Sequence, residues 1–515
     1  MADEEKVETV KVPTFTSCRY ILAYVGIVGV LCTYAIRINL SVAIVCMVKP
    51  PELNISLPNT TEAGCDFNTE RDANATQQEY EFEWSRPLQG AVLSSLFYGY
   101  ILTQFPGGWL ARRFGAKRVL GTGMMIGAVS TLLIPVAART HVYIVIALRV
   151  LVGLGTGVVF PSFHHILSTW APPLERTKLI AFTYSGTMLG NVVTLFLSGF
   201  LCKFGFAGGW PSIFYVFGGS TVIWLVFWAF LVYDSPADHP RISEVERSFI
   251  EQSTGRDQDQ EGDDNHPIPW LSFVKSIPLW SICVTHIASN WGNYLLLTGL
   301  PTYMKDVLKF DMKENGLFSA LPYIGMFFMA NLVGELVDLV REKGVRTMVV
   351  RKVCQTAAFC LPGLFLIITG FLDCTQRPLA VALVVIAVSC TAFGRAGYVI
   401  NHVDIAPRYA GLLFGITNTV GTIPGMLAPL TMGYVVRHGK REEWQAVFYI
   451  CAGIFSVGAL AFGCFSKGEE QEWAKVHRHH PEMTEKSKEE IERLHRTDSA
   501  TGLRGNKSYV EMIAT

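Results

Sequence analysis

Four cationic or titratable side chains stand inside runs that are otherwise apolar: Arg37 in TYAIRINLSVA, Arg149 in RVLVGLGTGVVFPSFHH, His286 in VTHIASNW and Arg395 in FGRAGYVIN. A charge at bilayer depth costs at least about 2.5 kcal/mol even on lenient insertion scales, so such residues mark function by default. A guanidinium keeps its charge and presents a planar fork of donors that suits carboxylate and phosphate oxygens. Arginines converging from opposed helices on a watery cavity would make an anion site. The alternative is a structural staple, each arginine tied to an acid or to backbone carbonyls. Within the apolar runs the acids are Glu335 and Asp338, both near one end of a single run. Arg37 and Arg149 therefore have few internal counterions, and a mobile anion is their natural partner. His164, after Pro161, and His286 are positions for a proton relay, because imidazole titrates near neutral pH. For His164 the alternative is a plain interfacial hydrogen bond.

The elements that must hold these residues follow from composition. The chain has 515 residues, half of them hydrophobic and only 17% charged, which is too apolar for a soluble multidomain protein. A hydrocarbon core needs roughly 20 apolar residues per helical span. Twelve such runs occur, near 20–47, 88–111, 119–138, 143–165, 179–201, 212–233, 278–300, 316–340, 348–372, 378–400, 411–435 and 445–466. The expected fold is an all-α membrane protein. Formal net charge is zero, which gives no electrostatic reason to expect a nucleic-acid partner. No signal peptide is expected, because the first 18 residues lack a short apolar region before a small-residue cleavage site.

Orientation rests on two independent signals. ARRFGAKR at 111–118 and the basic cluster Arg341, Lys343, Arg346, Arg351 and Lys352 belong inside by the positive-inside rule. The loop 49–86 carries three glycosylation sequons, at Asn54, Asn59 and Asn74, and belongs outside. Both termini are then cytosolic. The organisation is a tail (1–18), a six-helix half (19–233), a polar linker (234–276) read as flexible, a second half (277–466) and a tail (467–515). Of the twelve cysteines, Cys65, Cys202 and Cys374 fall in outer loops, where two could pair or all three stay single. The tail cluster HRHH at 477–480 is read as solvated rather than metal-binding, and no cofactor is expected.

The halves repeat one another. Gly90, Gly99 and Gly108 recur at Gly316, Gly325 and Gly334, each displaced by 226 residues, and Thr183 recurs at Thr417, displaced by 234. A near-constant offset is the trace of a duplicated six-helix unit. Two such units in one orientation are the architecture of many secondary transporters, with substrate bound near the midplane between them.

The blocks FYGYILTQFPGGWLA, WAPPLERTKL, PTYMKDVLKFDMKENGLFSALPYIG and INHVDIAPRYAGLLFGITNT resemble the anion/cation symporter (solute carrier 17) family of the major facilitator superfamily. The resemblance runs from about residue 16 to 475, with the sialin and type I sodium-phosphate cotransporter branches the most similar. It implies the major facilitator fold and transport of organic or inorganic anions by alternating access. It also implies that Arg37 and Arg149 bind the substrate anion, and it matches His164 to the histidine after an FP pair in the sialin branch. Proton-coupled members carry a glutamate seven residues after the fourth-span arginine, and the sialin branch another at plus three; here those positions are Thr156 and Val152. The expected driving ion is therefore sodium, with a proton as the alternative. Leu93 and Ser289 replace a histidine and an arginine of the glutamate-loading branch, which disfavours glutamate. The N-terminal tail lacks the acidic dileucine of the lysosomal members, which favours the plasma membrane over a lysosomal or vesicular one. The expected partners are a small anion and membrane lipid, with no obligate protein partner; an anion channel is the competing reading of another class.

Overall fold

In lipid, backbone polar groups must be satisfied within each segment, so long apolar runs become helices. The computed structural model describes residues 16–50, 80–262, 269–407 and 409–475. The first half comprises α1 (Cys18–Met47), α2 (Arg86–Phe114), α3 (Ala116–Thr140), α4 (Val142–Gly157), α5 (Val159–Trp170), α6 (Pro173–Phe204) and α7 (Trp210–Leu231). The linker holds α8 (Glu244–Gly262) and α9 (Trp270–Lys275). The second half comprises α10 (Ile277–Asp306), α11 (Met312–Glu342), α12 (Thr347–Gly370), α13 (Arg377–Cys390), α14 (Ile400–Ile405), α15 (Ala410–Val420), α16 (Ile423–Val435) and α17 (Arg441–Phe465). Twelve spans result among the described residues, three of them broken. Ten are long and apolar enough to cross a membrane. The other two, α2 and α10, are 29 and 30 residues long but carry buried polar groups such as Ser94, Ser95, Gln104, Ser281 and Thr285.

Each break has a local cause. Pro161 lacks an N–H to give Gly157, and the fourth span divides at Val158 into α4 and α5. Pro424 does the same in the eleventh span, between α15 and α16. In the tenth, a π-turn at Arg395–Val399 joins α13 to α14, with Gly397 at φ −86° and ψ −107°. Gln355 of α12 takes up a freed donor there, accepting from the Tyr398 backbone N–H at 3.1 Å. A Cβ on Gly397 would lie 2.5 Å from that same Gln355 oxygen, so the turn needs glycine.

The halves meet along α2 with α16, α6 with α11 and α1 with α10. Two of these crossings are bare backbone. A Cβ on Gly90 would sit 2.6 Å from the Pro429 carbonyl oxygen, and one on Gly316 2.8 Å from the Gly199 Cα. Gly199 and Gly433 are again 234 apart, so Gly90 on Gly433 and Gly316 on Gly199 are repeat-related versions of one contact. Cross-half bonds run from the outer ends, Arg86 with Asp306 at 2.7 Å and Lys203 with Asp311 at 3.0 Å, down to Gln104 with Thr422 at mid-depth, 3.0 Å. These contacts close the bundle at its outer end.

Three expectations change. Sodium or proton aside, the acid inventory widens: α10 reaches Asp306 and α14 contains Asp404, but Arg86 holds the first and Arg351 the second, at 2.8 Å. The linker is not a plain tether, because Glu246 and Ile250, one turn apart on α8, are both buried. Arg19 of α1 reaches Glu246 at 3.3 Å and Glu175 of α6 at 2.8 Å, which fixes α8 to the first half. Composition had averaged this short amphipathic stretch with the acidic residues after it. Cys202 pairs with Cys46 at the outer end of α1, a residue assigned to a span, with Cα atoms 6.2 Å apart. Cys374 is also disulfide-bonded. Asn54, Asn59, Asn74, Cys65 and the tail cluster lie outside the described residues.

Candidate functional site

Spacing places an aromatic beside the first arginine: Tyr34 is three residues before Arg37, hence on the same face of α1. The Arg37 guanidinium lies 5.1 Å from the Tyr34 ring centroid and 4.5 Å from that of Tyr100 on α2. Such faces attract a cation, more strongly when it is desolvated. Tyr294 of α10 contributes a third phenol from the opposite half. Together Tyr34, Arg37, Ser41 and Arg149 from the first half and Tyr294 and Thr298 from the second line a cavity between the halves. Phe97 packs on Tyr294 at 4.6 Å between ring centroids, closing its wall.

Arg149 stands beside Arg37 but is used differently. Its Nη1 donates to the Ile36 carbonyl at 3.0 Å and its Nη2 to the Arg37 carbonyl at 2.6 Å. The staple reading thus accounts for two of the three guanidinium nitrogens, and the Nε is left buried without a partner. The charge bearing on Arg149 is that of Arg37, and among the described residues no carboxylate acts on either. Two adjacent cations are thus buried side by side without a neutralising acid among the described residues, an arrangement that is costly by itself. Thr156 faces elsewhere: it is fully buried and its hydroxyl donates to Val152 of its own helix at 2.9 Å.

Among the predicted site residues that are described, His164 and Arg395 are the exposed ones. His164 stacks edge-on against Tyr184 of α6 at 5.2 Å, and Phe160 links Tyr184 to Tyr34 through ring contacts of 5.2 and 6.4 Å. An aromatic path thus connects His164 to the Arg37 cage. Arg395 projects from the π-turn, and Tyr34 of the opposite half acts on its charge. His286 is apart from all of these: buried, its Nδ1 3.2 Å from the Thr417 hydroxyl, with His402 on the other side of that hydroxyl.

Sequence reading missed the tyrosine cage and His402. The Tyr34-to-Arg37 spacing was the available signal for the first. His402 sits just past the point where the tenth run loses its apolar character, so it counted as loop.

The family model described as Major Facilitator Superfamily matches residues 26–429. Sialin of Homo sapiens is 42% identical over 471 residues, covering 91% of this chain and 93% of that protein. Vesicular glutamate transporter 2 of Bos taurus is 36% identical, covering 91% and 77%. Among solved structures, the inward-open xylose transporter XylE from E. coli superposes with a TM-score of 0.64 at 14% identity, over 88% of this chain and 98% of that one. A bacterial homolog of the human lysosomal transporter Spinster, inward-facing and occupied, gives 0.63 at 12% identity, over 88% and 97%. Those two likenesses speak to the fold, and the matched family model and the sequence relatives to descent. With its paired six-helix halves and the arginines between them, the chain belongs to the major facilitator superfamily, in the solute carrier 17 family of sialin and the vesicular glutamate transporters.

Proposed function

We propose that this transporter moves a small anion, phosphate or an organic carboxylate, by alternating access, with Arg37 as the principal anion clamp. The observation that carries the reading is the Arg37 guanidinium. It is buried, has no carboxylate acting on it, and lines a cavity to which both halves contribute. Arg149 supports the clamp by fixing the α1 backbone from which Arg37 projects, and its charge adds to the field that attracts the anion. Arg395 extends the positive field from the second half on the inward side.

Sodium is the driving ion in this reading, because Thr156 and Val152 offer no carboxyl to exchange a proton with Arg149. A second reading, a proton-coupled exporter of acidic sugars, is favoured by the 42% identity to sialin and by the buried imidazoles of the second half. The first reading places the protein at the plasma membrane, the second in a lysosomal or vesicular one. The test is uptake of labelled phosphate, and separately of labelled glucuronate, into liposomes holding the purified protein, with and without an inward sodium gradient at fixed pH. Saturable accumulation supports a carrier and excludes a channel; unitary currents without accumulation would overturn the carrier reading.

A further inference from the structure

The second half holds a buried polar cluster that the anion site does not use. His286 of α10, His402 of α14 and Thr417 of α15 are 3%, 1% and 0% exposed. Both imidazoles address one hydroxyl, His286 through Nδ1 at 3.2 Å and His402 through Nε2 at 2.8 Å. The other nitrogen of His402, Nδ1, lies 2.9 Å from the Val399 carbonyl oxygen. A carbonyl only accepts, so His402 Nδ1 carries a hydrogen, and in the neutral ring Nε2 must accept. The hydrogen it accepts is that of Thr417. The Thr417 oxygen accepts in turn from His286 Nδ1. The bonds therefore run one way, from His286 through Thr417 to His402.

This direction permits transfer. A proton arriving on His286 Nε2 forms an N–H bond there while the Nδ1–H is passed to the Thr417 oxygen. Thr417 hands its own hydrogen to His402 Nε2. Each intermediate atom gains one hydrogen and gives one up, and the charge comes to rest on His402. The product is also satisfied: with both His402 nitrogens donating, Thr417 accepts from Nε2 and donates the hydrogen it received back to His286 Nδ1.

The surroundings leave room for one added charge. From α10 come the neutral Ser289 and Asn290, the latter donating to the Gly421 carbonyl at 2.7 Å. From the tenth span come Tyr398, 5.0 Å from His286 between ring centroids, with Arg395 acting on it. Asp404 is already held by Arg351 of α12 and by Asn401, and Gln355 of α12 is neutral. α15 adds Phe414, 5.8 and 5.5 Å from the two imidazoles. Two imidazoles bridged by a single hydroxyl in a dry interior repel a second proton. The repeat sharpens the point. Thr183, the counterpart of Thr417, faces Gly26 of α1, and its buried hydroxyl has no hydrogen-bond partner. The first half thus keeps the threonine and lacks the imidazoles.

The cluster also sits where it can act on the cycle. Thr417 is one turn before the break between α15 and α16, and Thr422 at that break reaches Gln104 of the first half. We propose that His286, Thr417 and His402 form a one-proton site that couples a proton gradient to anion movement through the α15 hinge. This rests on the second reading above, the proton-coupled carrier, in place of the sodium-driven one.

The test uses the full-length protein in sodium-free liposomes, with labelled phosphate and labelled glucuronate as probes. Counterflow of each anion against itself reports the carrier; accumulation under an imposed pH gradient, with a pH dye inside the vesicles, reports the coupling. The expected result is that Thr417→Val, which keeps the shape and removes the hydroxyl, retains counterflow but loses pH-driven accumulation and the dye signal. Thr417→Ser restores both, and His402→Gln behaves as Thr417→Val. Counterflow in the wild type without any response to the pH gradient overturns the proton site and leaves the anion carrier standing. Thr417→Val that still accumulates as wild type, or that loses counterflow together with coupling, also overturns it. Absence of counterflow for both probes in the wild type overturns both readings.

Discussion

Arg149 holds the peptide of Arg37 itself: its Nη2 donates to the Arg37 carbonyl oxygen at 2.6 Å, so the fourth span grips the first at the residue whose side chain faces the cavity. The two arginines are therefore unequal. Arg37→Ala should abolish anion uptake while surface expression and thermal stability stay near wild type. Arg149→Ala should also lower stability, because each hydrogen bond to a charged group is worth about 1.5–3 kcal/mol and two are lost. Arg149→Lys, with no planar fork, should recover only part. Uptake measured beside thermal unfolding in detergent separates the cases; equal loss of stability in the Arg37 and Arg149 variants would refute the division of labour.

The glycine crossings make a different forecast. A methyl at Gly90 meets a backbone carbonyl, which cannot rotate aside as a side chain can. Gly90→Ala should slow transport several-fold, and Gly90→Leu should stop it with the outer side held open. The repeat-related Gly316→Leu should match it. Labelling of Ser94→Cys by a membrane-impermeant maleimide from outside should rise in both backgrounds; unchanged labelling would count against the seal.

The Cys46–Cys202 disulfide joins α1 to α6 within the first half and does not cross between halves. Its loss should cost roughly 2–4 kcal/mol of stability. Transport at moderate temperature should persist in Cys46→Ala/Cys202→Ala. A variant that is as stable as wild type but inactive would reverse this assignment.

On the outer surface the Arg139 side chain, donating at 2.6 Å, holds the Glu81 carboxyl below the usual glutamate range, and the Trp210 indole N–H adds a bond at 2.9 Å. A carboxylate whose pKa is depressed in the folded state contributes stability above its unfolded pKa and loses it as pH falls through the folded value. The pair is half exposed, so the effect is at most about 1 kcal/mol. Thermal unfolding of wild type should therefore decline more steeply on acidification below about pH 4.5 than that of Glu81→Gln. Parallel curves would show that the pair contributes nothing.

Much of this molecule is legible in its sequence, for reasons that differ by level. The twelve spans follow from counting apolar residues, because lipid imposes one length on them all, and the duplication follows from glycines that recur where helices touch. The destination of the Arg149 guanidinium does not follow, because the groups it binds are backbone carbonyls of Ile36 and Arg37, which no letter of the sequence distinguishes. The buried His402 was hidden for a related reason. It lies beyond a kink that only the π-turn reveals, on a short helix whose apolar run is already spent.

The paired glycine crossings bear on speed. A carrier must break its outer seal once per cycle, and whatever free energy the seal supplies is added to the barrier for reopening. Interdigitated large side chains would make a tight but slow gate. Backbone against backbone brings the helices close with no large side chain to withdraw, so Gly90 on Gly433 and Gly316 on Gly199 suit a seal that must reopen in every cycle.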